Sequence, residues 1–192
     1  MGVTVKSAVA KAGHDYIRRR YGEDAWNQLL DMLLVEDRVL IRNIGSTASF
    51  PVAVDGRVFE ALVHAQFNGD RIVAASQLRE GGACQADAML DGIFSIFARY
   101  ASPLQAFKRG GTVLASVYSN AVSTTTEIAA AQNGGAIHVT GLGESSFIAP
   151  WHCGWTERAL GRMGGNHVHV TERSWEAGMI ASPELVYDVR WG

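Results

Sequence analysis

His167 and His169 stand two residues apart in a stretch with strand character, so their side chains point to one face, and His138 is placed in the same sense on another predicted strand. Were those two strands neighbours, three imidazoles would converge in the manner of a zinc site. Alternation argues against it. All three lie on the polar face opposite the valines, where strand residues ordinarily meet solvent, and no Asp, Glu or Cys joins them at ligand spacing. His152 and Cys153 are adjacent, but neighbours on a helix diverge by about 100° and do not face each other. Cys84 and Cys153 fall far apart in different predicted elements, and such a pair is expected to be two reduced, packed thiols. Gly141-Leu142-Gly143-Glu144 and Gly161-Arg162-Met163-Gly164-Gly165 carry glycines that could approach a phosphate. Neither lies between strand and helix of a βαβ unit or ends in Gly-Lys-Ser/Thr, so both read as turns. No hydrolase elbow, paired-carboxylate motif or kinase signature occurs. No catalytic residue, metal ligand or cofactor is assigned, and a non-catalytic role is favoured over an enzyme.

The densest apolar and aromatic cluster is Ile93, Phe94, Ile96, Phe97, Tyr100 and Phe107. Such spacing is ordinarily core. It also supplies the walls that a pocket for an apolar small molecule needs, together with a few polar groups. Tyr118, Trp151 and Trp155 can contribute if the helices meet the sheet nearby. The candidate ligand-binding set is Phe94, Phe97, Tyr100, Phe107, Tyr118 and Trp155.

Helices must position most of that set. Residues 3 to 21 read as one helix, with Val5, Ala8, Val9, Ala12, Tyr16 and Ile17 at three- and four-residue spacing and Arg18, Arg19 and Arg20 where the helix dipole favours cations. Glu23 and Asp24 open a second helix with the stripe Trp26, Leu29, Leu30 and Leu33; residues 37 to 44 read as a short helical piece. Gly45 to Pro51 reads as a turn-rich connection, since Pro51 biases Phe50 away from helical geometry. Val54, Val58, Ala61, Leu62 and Ala65 share a face of the next helix. Asn68-Gly69-Asp70 ends it and can cap a further one, which Gly81-Gly82 is expected to weaken. Ser102-Pro103 reads as an N-cap followed by a proline at the first helical position, with the helix running towards Tyr118.

Beyond residue 120 the period falls from 3.6 to 2. Val122, Thr124, Thr126 and Ile128 alternate with polar residues, Asn133-Gly134-Gly135 signals a hairpin, and 136 to 142 forms the second strand. A helix over about 150 to 161 follows, then a strand with Val168 and Val170 on one face and a last strand from Leu185 to Trp191. The expected fold class is α+β: one domain over 1–192, mostly helical through 119, then a four-stranded antiparallel ββαββ unit over 120–192 whose helix covers one sheet face.

At 192 residues, 47% apolar and 19% charged, the chain has globular composition. Seventeen basic against nineteen acidic residues leave a formal charge of -2 and no positive field for nucleic acid or anionic lipid. No apolar run approaches the roughly 20 residues of a membrane span. The N-terminal stretch lacks the apolar segment of a secretory signal, and Lys6 stands where acylation of Gly2 would want Ser or Thr. A cytoplasmic protein is expected.

The order of elements resembles the fold shared by haem nitric-oxide sensor domains, four-vinyl-reductase-like ligand domains and small TRAPP vesicle-tethering subunits of the Bet type. Within that group the chain is most similar to the myxobacterial paralogous family of unknown function, through Val5-Lys6-Ser7-Ala8, Glu23-Asp24-Ala25-Trp26, Tyr100-Ala101-Ser102-Pro103 and Tyr187-Asp188-Val189-Arg190-Trp191. Haem sensors of this fold carry an axial histidine on a helix before the sheet and a Tyr-x-Ser-x-Arg motif. This chain has no histidine between His64 and His138 and offers only Tyr118-Ser119-Asn120, so haem is disfavoured. The four-vinyl-reductase-like domains often close a zinc site with cysteines in the last hairpin. Ser174 stands where one is expected. The tethering subunits acylate a buried helical cysteine, for which Cys84 is the nearest counterpart. The resemblance and the aromatic cluster together imply a non-catalytic sensory or regulatory domain that holds an apolar small molecule. The alternative is a protein-interaction module acting as a homodimer or with a partner protein.

Overall fold

The computed structural model describes residues 2–192 apart from 93, 96–98, 100, 128–132, 143–146 and 179–181. Phe97 and Tyr100 of the candidate set, with Ile93 and Ile96 of the same apolar cluster, lie outside the described residues.

The chain opens with strand β1 (Thr4–Lys6) and only then enters helix α1 (Ser7–Tyr21), so the expected helix begins four residues late. Strand β2 (Ser49–Pro51) replaces the end of the expected turn, and β3 (Tyr118–Ser119) follows the helices. These three short strands form a sheet in the order β2-β1-β3, antiparallel throughout. Local sequence hides it because each strand has three residues or fewer and is held by partners more than forty positions away. Helices α2 (Glu23–Asp31), α3 (Val35–Arg42) and α4 (Val52–Phe67) follow the expected stripes, with Trp26, Leu29, Leu30, Val58 and Leu62 buried. Asn68 ends α4 in the left-handed conformation at φ 50°, and the Asp70 carboxylate accepts from the Ile72 and Val73 amides to cap α5 (Arg71–Asp91).

Helix α5 runs unbroken through Gly81 and Gly82, against the expectation of a weak point. The reason is tertiary. Helix α8 (Ile148–Arg162) packs so closely there that a Cβ on Gly82 would collide with the Trp151 carbonyl, one on Gly154 with the Arg79 backbone, and one on Gly81 with the Trp151 ring. Two glycines cost a helix roughly 1 kcal/mol each, and the buried helix–helix contact offsets it. Trp151 completes the joint: its Nε1 donates to Gln85 Oε1 at 3.0 Å, and Gln85 Nε2 donates to the Val9 carbonyl at 2.8 Å, which ties α8 to α5 and α1.

Helix α6 (Pro103–Lys108) starts on the predicted signal, with Ser102 and Gln105 forming a reciprocal capping box. It breaks at Arg109 and restarts as α7 (Gly110–Val117) instead of running through to Tyr118. Strands β4 (Val122–Glu127), β5 (Gly134–Thr140), β6 (His169–Glu172) and β7 (Glu184–Arg190) make a fully antiparallel sheet in the order β4-β5-β7-β6, with the short helix α9 (Arg173–Glu176) before β7. The α+β class with a helical first half and a four-stranded antiparallel sheet stands as expected. Ile137 pairs with Tyr187 and Val139 with Leu185, so the alternating residues of the two central strands turn their buried set toward the helices. Among the described residues no helix is long and apolar enough to cross a membrane.

Candidate functional site

A cavity of about 110 Å³ lies between β5, β7 and the helices α5 to α8. Helix α8 walls one side with residues at helical spacing: His152, Trp155, Thr156, Ala159 and Leu160 share one face. Met89 and Leu90 of α5 stand opposite, α6 and α7 contribute Phe107, Leu114 and Val117, and Ile137 and Val139 form the floor. Half-buried Phe94, Val113, Leu114, Trp155 and Thr156, with Gly110 and His152, carry what remains of the lining's exposure to solvent. The structure therefore brings Phe94, Phe107, Tyr118 and Trp155 of the candidate set to one cavity. Phe107 is also core, 2% exposed and 5.5 Å from the Trp191 ring. Trp151 faces the α5 joint, packed against Phe59 and Tyr16.

One edge of the cavity is polar. The Tyr118 hydroxyl lies 2.8 Å from His152 Nε2, and His152 Nδ1 lies 3.0 Å from the Tyr187 hydroxyl. Burial pushes the His152 pKa down to about 4; the attraction of Asp55 works the other way and is outweighed. His152 retains a little accessible surface because it lines the cavity, so enclosure by protein and not its exposed area sets that shift. Burial likewise raises Tyr118 and Tyr187 well above the ordinary phenol value. All three side chains are uncharged at neutral pH. Gln85 also reaches the lining, but its amide is engaged by Trp151 and Val9.

His152 and Tyr187 were missing from the candidate set. Cys153, the sequence neighbour of His152, is not its partner: it is 1% exposed and its thiol is pushed up to about 12, mainly by burial, so it is an inert core residue. Two signals were available. His152, Trp155, Thr156 and Ala159 share a helical face, and Tyr187 occupies the inward register of its strand between Leu185 and Val189.

The other constellations do not assemble. Strand β7 separates β5 from β6, so His138 is held beside Glu184 (Nδ1 to Oε1, 2.9 Å) while exposed His169 sits on the sheet's far strand. Among the described residues no group of three or more His, Cys, Asp or Glu could hold a metal ion. Where the resemblance pointed to a lost zinc cysteine, Ser174 is buried and donates to Glu172 Oε1. The Glu172 carboxylate, 1% exposed, also accepts from the Trp175 and Val186 amides. An internal carboxylate with three donors organises this hairpin. Cys84 is a free thiol but an exposed one, so of the two thiols expected to be packed only Cys153 is.

No family model matches the chain and no curated protein matches it. Solved structures do. The Fe(II) unliganded H-NOX protein from K. algicida superposes with a TM-score of 0.67 at 13% identity, covering 97% of this chain and 96% of that one. An H-NOX protein from S. oneidensis in its Fe(II)NO ligation state gives 0.66 at 11% identity over 97% and 99%. An oxygen-binding H-NOX domain related to soluble guanylate cyclases gives 0.61 at 11% identity over 97% and 94%. The chain thus has an H-NOX-like fold over nearly its whole length, the haem-sensor member of the resemblance read from its sequence.

Proposed function

We propose that this protein is a non-catalytic sensory domain that binds a small, largely apolar organic molecule in the cavity between α5–α8 and the sheet. The observation that carries the reading is the cavity itself, apolar on every side but one and with a single uncharged polar edge, the lining that small-molecule sites use. The H-NOX-like fold supports it, because neighbours of that fold are named as oxygen-binding or in an Fe(II)NO ligation state and so hold small ligands. Within that fold we place the chain beside the myxobacterial paralogous family, on the order of its motifs, and take it to act as one domain in the cytoplasm.

Haem does not fit this cavity. Both nitrogens of the one imidazole in the described lining are engaged by tyrosine hydroxyls, and no Lys or Arg among those residues could meet a propionate. A void of about 110 Å³ is also small for a tetrapyrrole. The occupant is a smaller organic molecule.

Native mass spectrometry with matched denaturing runs, together with an absorption spectrum and metal analysis of the purified protein, tests the reading. A co-purifying organic molecule supports it; an empty protein that elutes as a stable dimer sinks it. Phe94→Ala sharpens the result, since Phe94 is half-buried at the cavity: ligand is expected to be lost while the far-ultraviolet circular dichroism is kept. Self-association is the second reading, favoured by Met32, Leu34, Val35 and Val39, all at least half exposed along one short stretch. A monomeric mass at every concentration in analytical ultracentrifugation removes it.

A further inference from the structure

We infer that the Tyr118–His152–Tyr187 chain presents one uncommitted hydrogen-bond donor to the cavity, and that the occupant is an uncharged, otherwise apolar molecule bearing a hydrogen-bond acceptor such as a ketone or ester oxygen. This rests on the ligand-binding reading above and adds the chemistry of the ligand's polar end.

A neutral imidazole carries one N–H and one bare nitrogen, and each phenol carries one O–H. The three side chains therefore hold three donor protons, and the two bonds at 2.8 and 3.0 Å use two of them. If Tyr118 donates to Nε2, then Nδ1–H donates to Tyr187 and the Tyr187 O–H is left over. In the other tautomer Tyr187 donates to Nδ1, Nε2–H donates to Tyr118, and the Tyr118 O–H is left over. Either way the remaining proton sits on a phenol that lines the cavity, and no described protein group accepts it. A buried donor left unmade costs about 1–3 kcal/mol, whereas a spare lone pair is tolerated more readily. The cavity thus asks its occupant for an acceptor.

The rest of the lining excludes charge. No Lys, Arg, Asp or Glu borders the cavity among the described residues, so an anion or a cation would be desolvated without a partner. Because the linked Tyr118–His152–Tyr187 groups sit together and the lining is otherwise mostly apolar, one end of the occupant is polar.

Three matched probes test this on the full chain by calorimetry or ligand-observed NMR at neutral pH: acetophenone, ethylbenzene and benzoate. Acetophenone is expected to bind about tenfold tighter than ethylbenzene, the worth of one buried hydrogen bond, and benzoate weakest of all. Equal affinity for acetophenone and ethylbenzene overturns the free donor while leaving the apolar pocket standing. Failure of all three to bind overturns the pocket reading and this inference with it. In Tyr118→Phe/His152→Leu/Tyr187→Phe every donor of that chain is gone, leaving only the Thr156 hydroxyl and the Gln85 amide in the lining, and the ketone-to-hydrocarbon ratio is expected to fall toward one. Should that variant not fold, Tyr187→Phe serves. The same count leaves one donor, Nδ1–H of His152 in one tautomer or the Tyr118 hydroxyl in the other, so the ketone preference is expected to persist, and its loss overturns the count.

Discussion

Around Gly81, Gly82 and Gly154, helices α5 and α8 touch backbone to backbone, whereas at Met89, Trp155 and Ala159 the same two helices wall an open cavity. The first region is packed to the density of a protein interior, where no atom can be added. The second forgoes contacts, leaving about 110 Å³ unfilled beside the half-buried Phe94 and Trp155. The two are linked. A joint rigid enough to fix the separation and rotation of α5 and α8 lets the residues beyond it hold a space open instead of collapsing into it.

Three measurements can break or sharpen that contrast. The largest effect is expected at the joint, where Gly82→Ala places a methyl group against the Trp151 carbonyl, which cannot move away as a flexible side chain could. A loss of about 3 kcal/mol is expected in urea unfolding, and a loss below about 1 kcal/mol would mean the helices are not held this closely.

The second concerns the polar edge. His152 titrates at about 4 when folded against an ordinary 6.5, so in that interval the unfolded chain takes up a proton that the folded chain refuses. The stability contributed by the neutral imidazole is complete above pH 6.5 and is lost as pH falls toward 4, at roughly 1.4 kcal/mol per unit. Between pH 7 and pH 5 the wild type is expected to lose about 2 kcal/mol more than His152→Gln, which has no such group. Parallel pH profiles for the two proteins would place His152 in water instead of beside Tyr118 and Tyr187.

The smallest effect is expected at Gly110 on the cavity. A Cβ there meets only Thr125 Cγ2 at 3.8 Å and Ile137 Cδ1 at 3.9 Å, ordinary contacts. Gly110→Ala is expected to stabilise by about 0.5 kcal/mol through the unfolded chain, and thermal melts of this variant beside Gly82→Ala give the comparison directly. If both glycine variants unfold alike, the contrast between joint and cavity is wrong.

How much of this was legible depended on whether the signal was local. The Ser102-Pro103 start, the Asn68-Gly69-Asp70 junction and the alternation in β5 and β7 are all decided by neighbours within a few positions and all formed, although β5 begins two residues early, with Gly134 and Gly135 paired in the sheet instead of in the expected turn. Phe94, Phe107, Tyr118 and Trp155 could be nominated because large apolar side chains leave water wherever the fold sends them. Gly81-Gly82 misled because the compensating contact comes from residues about seventy positions on. Tyr118 and Tyr187 stand 34 and 35 positions from His152, beyond the reach of any spacing rule.

The sequence by itself determined the period of each major element, the buried face that period creates, and so an α+β chain with helices over an antiparallel sheet. Only the tertiary structure decided the strand order β4-β5-β7-β6, which kept the histidines of β5 and β6 apart, and the close approach of α5 to α8, which carried His152 between two tyrosines. Periodicity fixes which way a side chain points from its own element. What it meets there depends on packing between elements, which the chain settles only when the whole core closes.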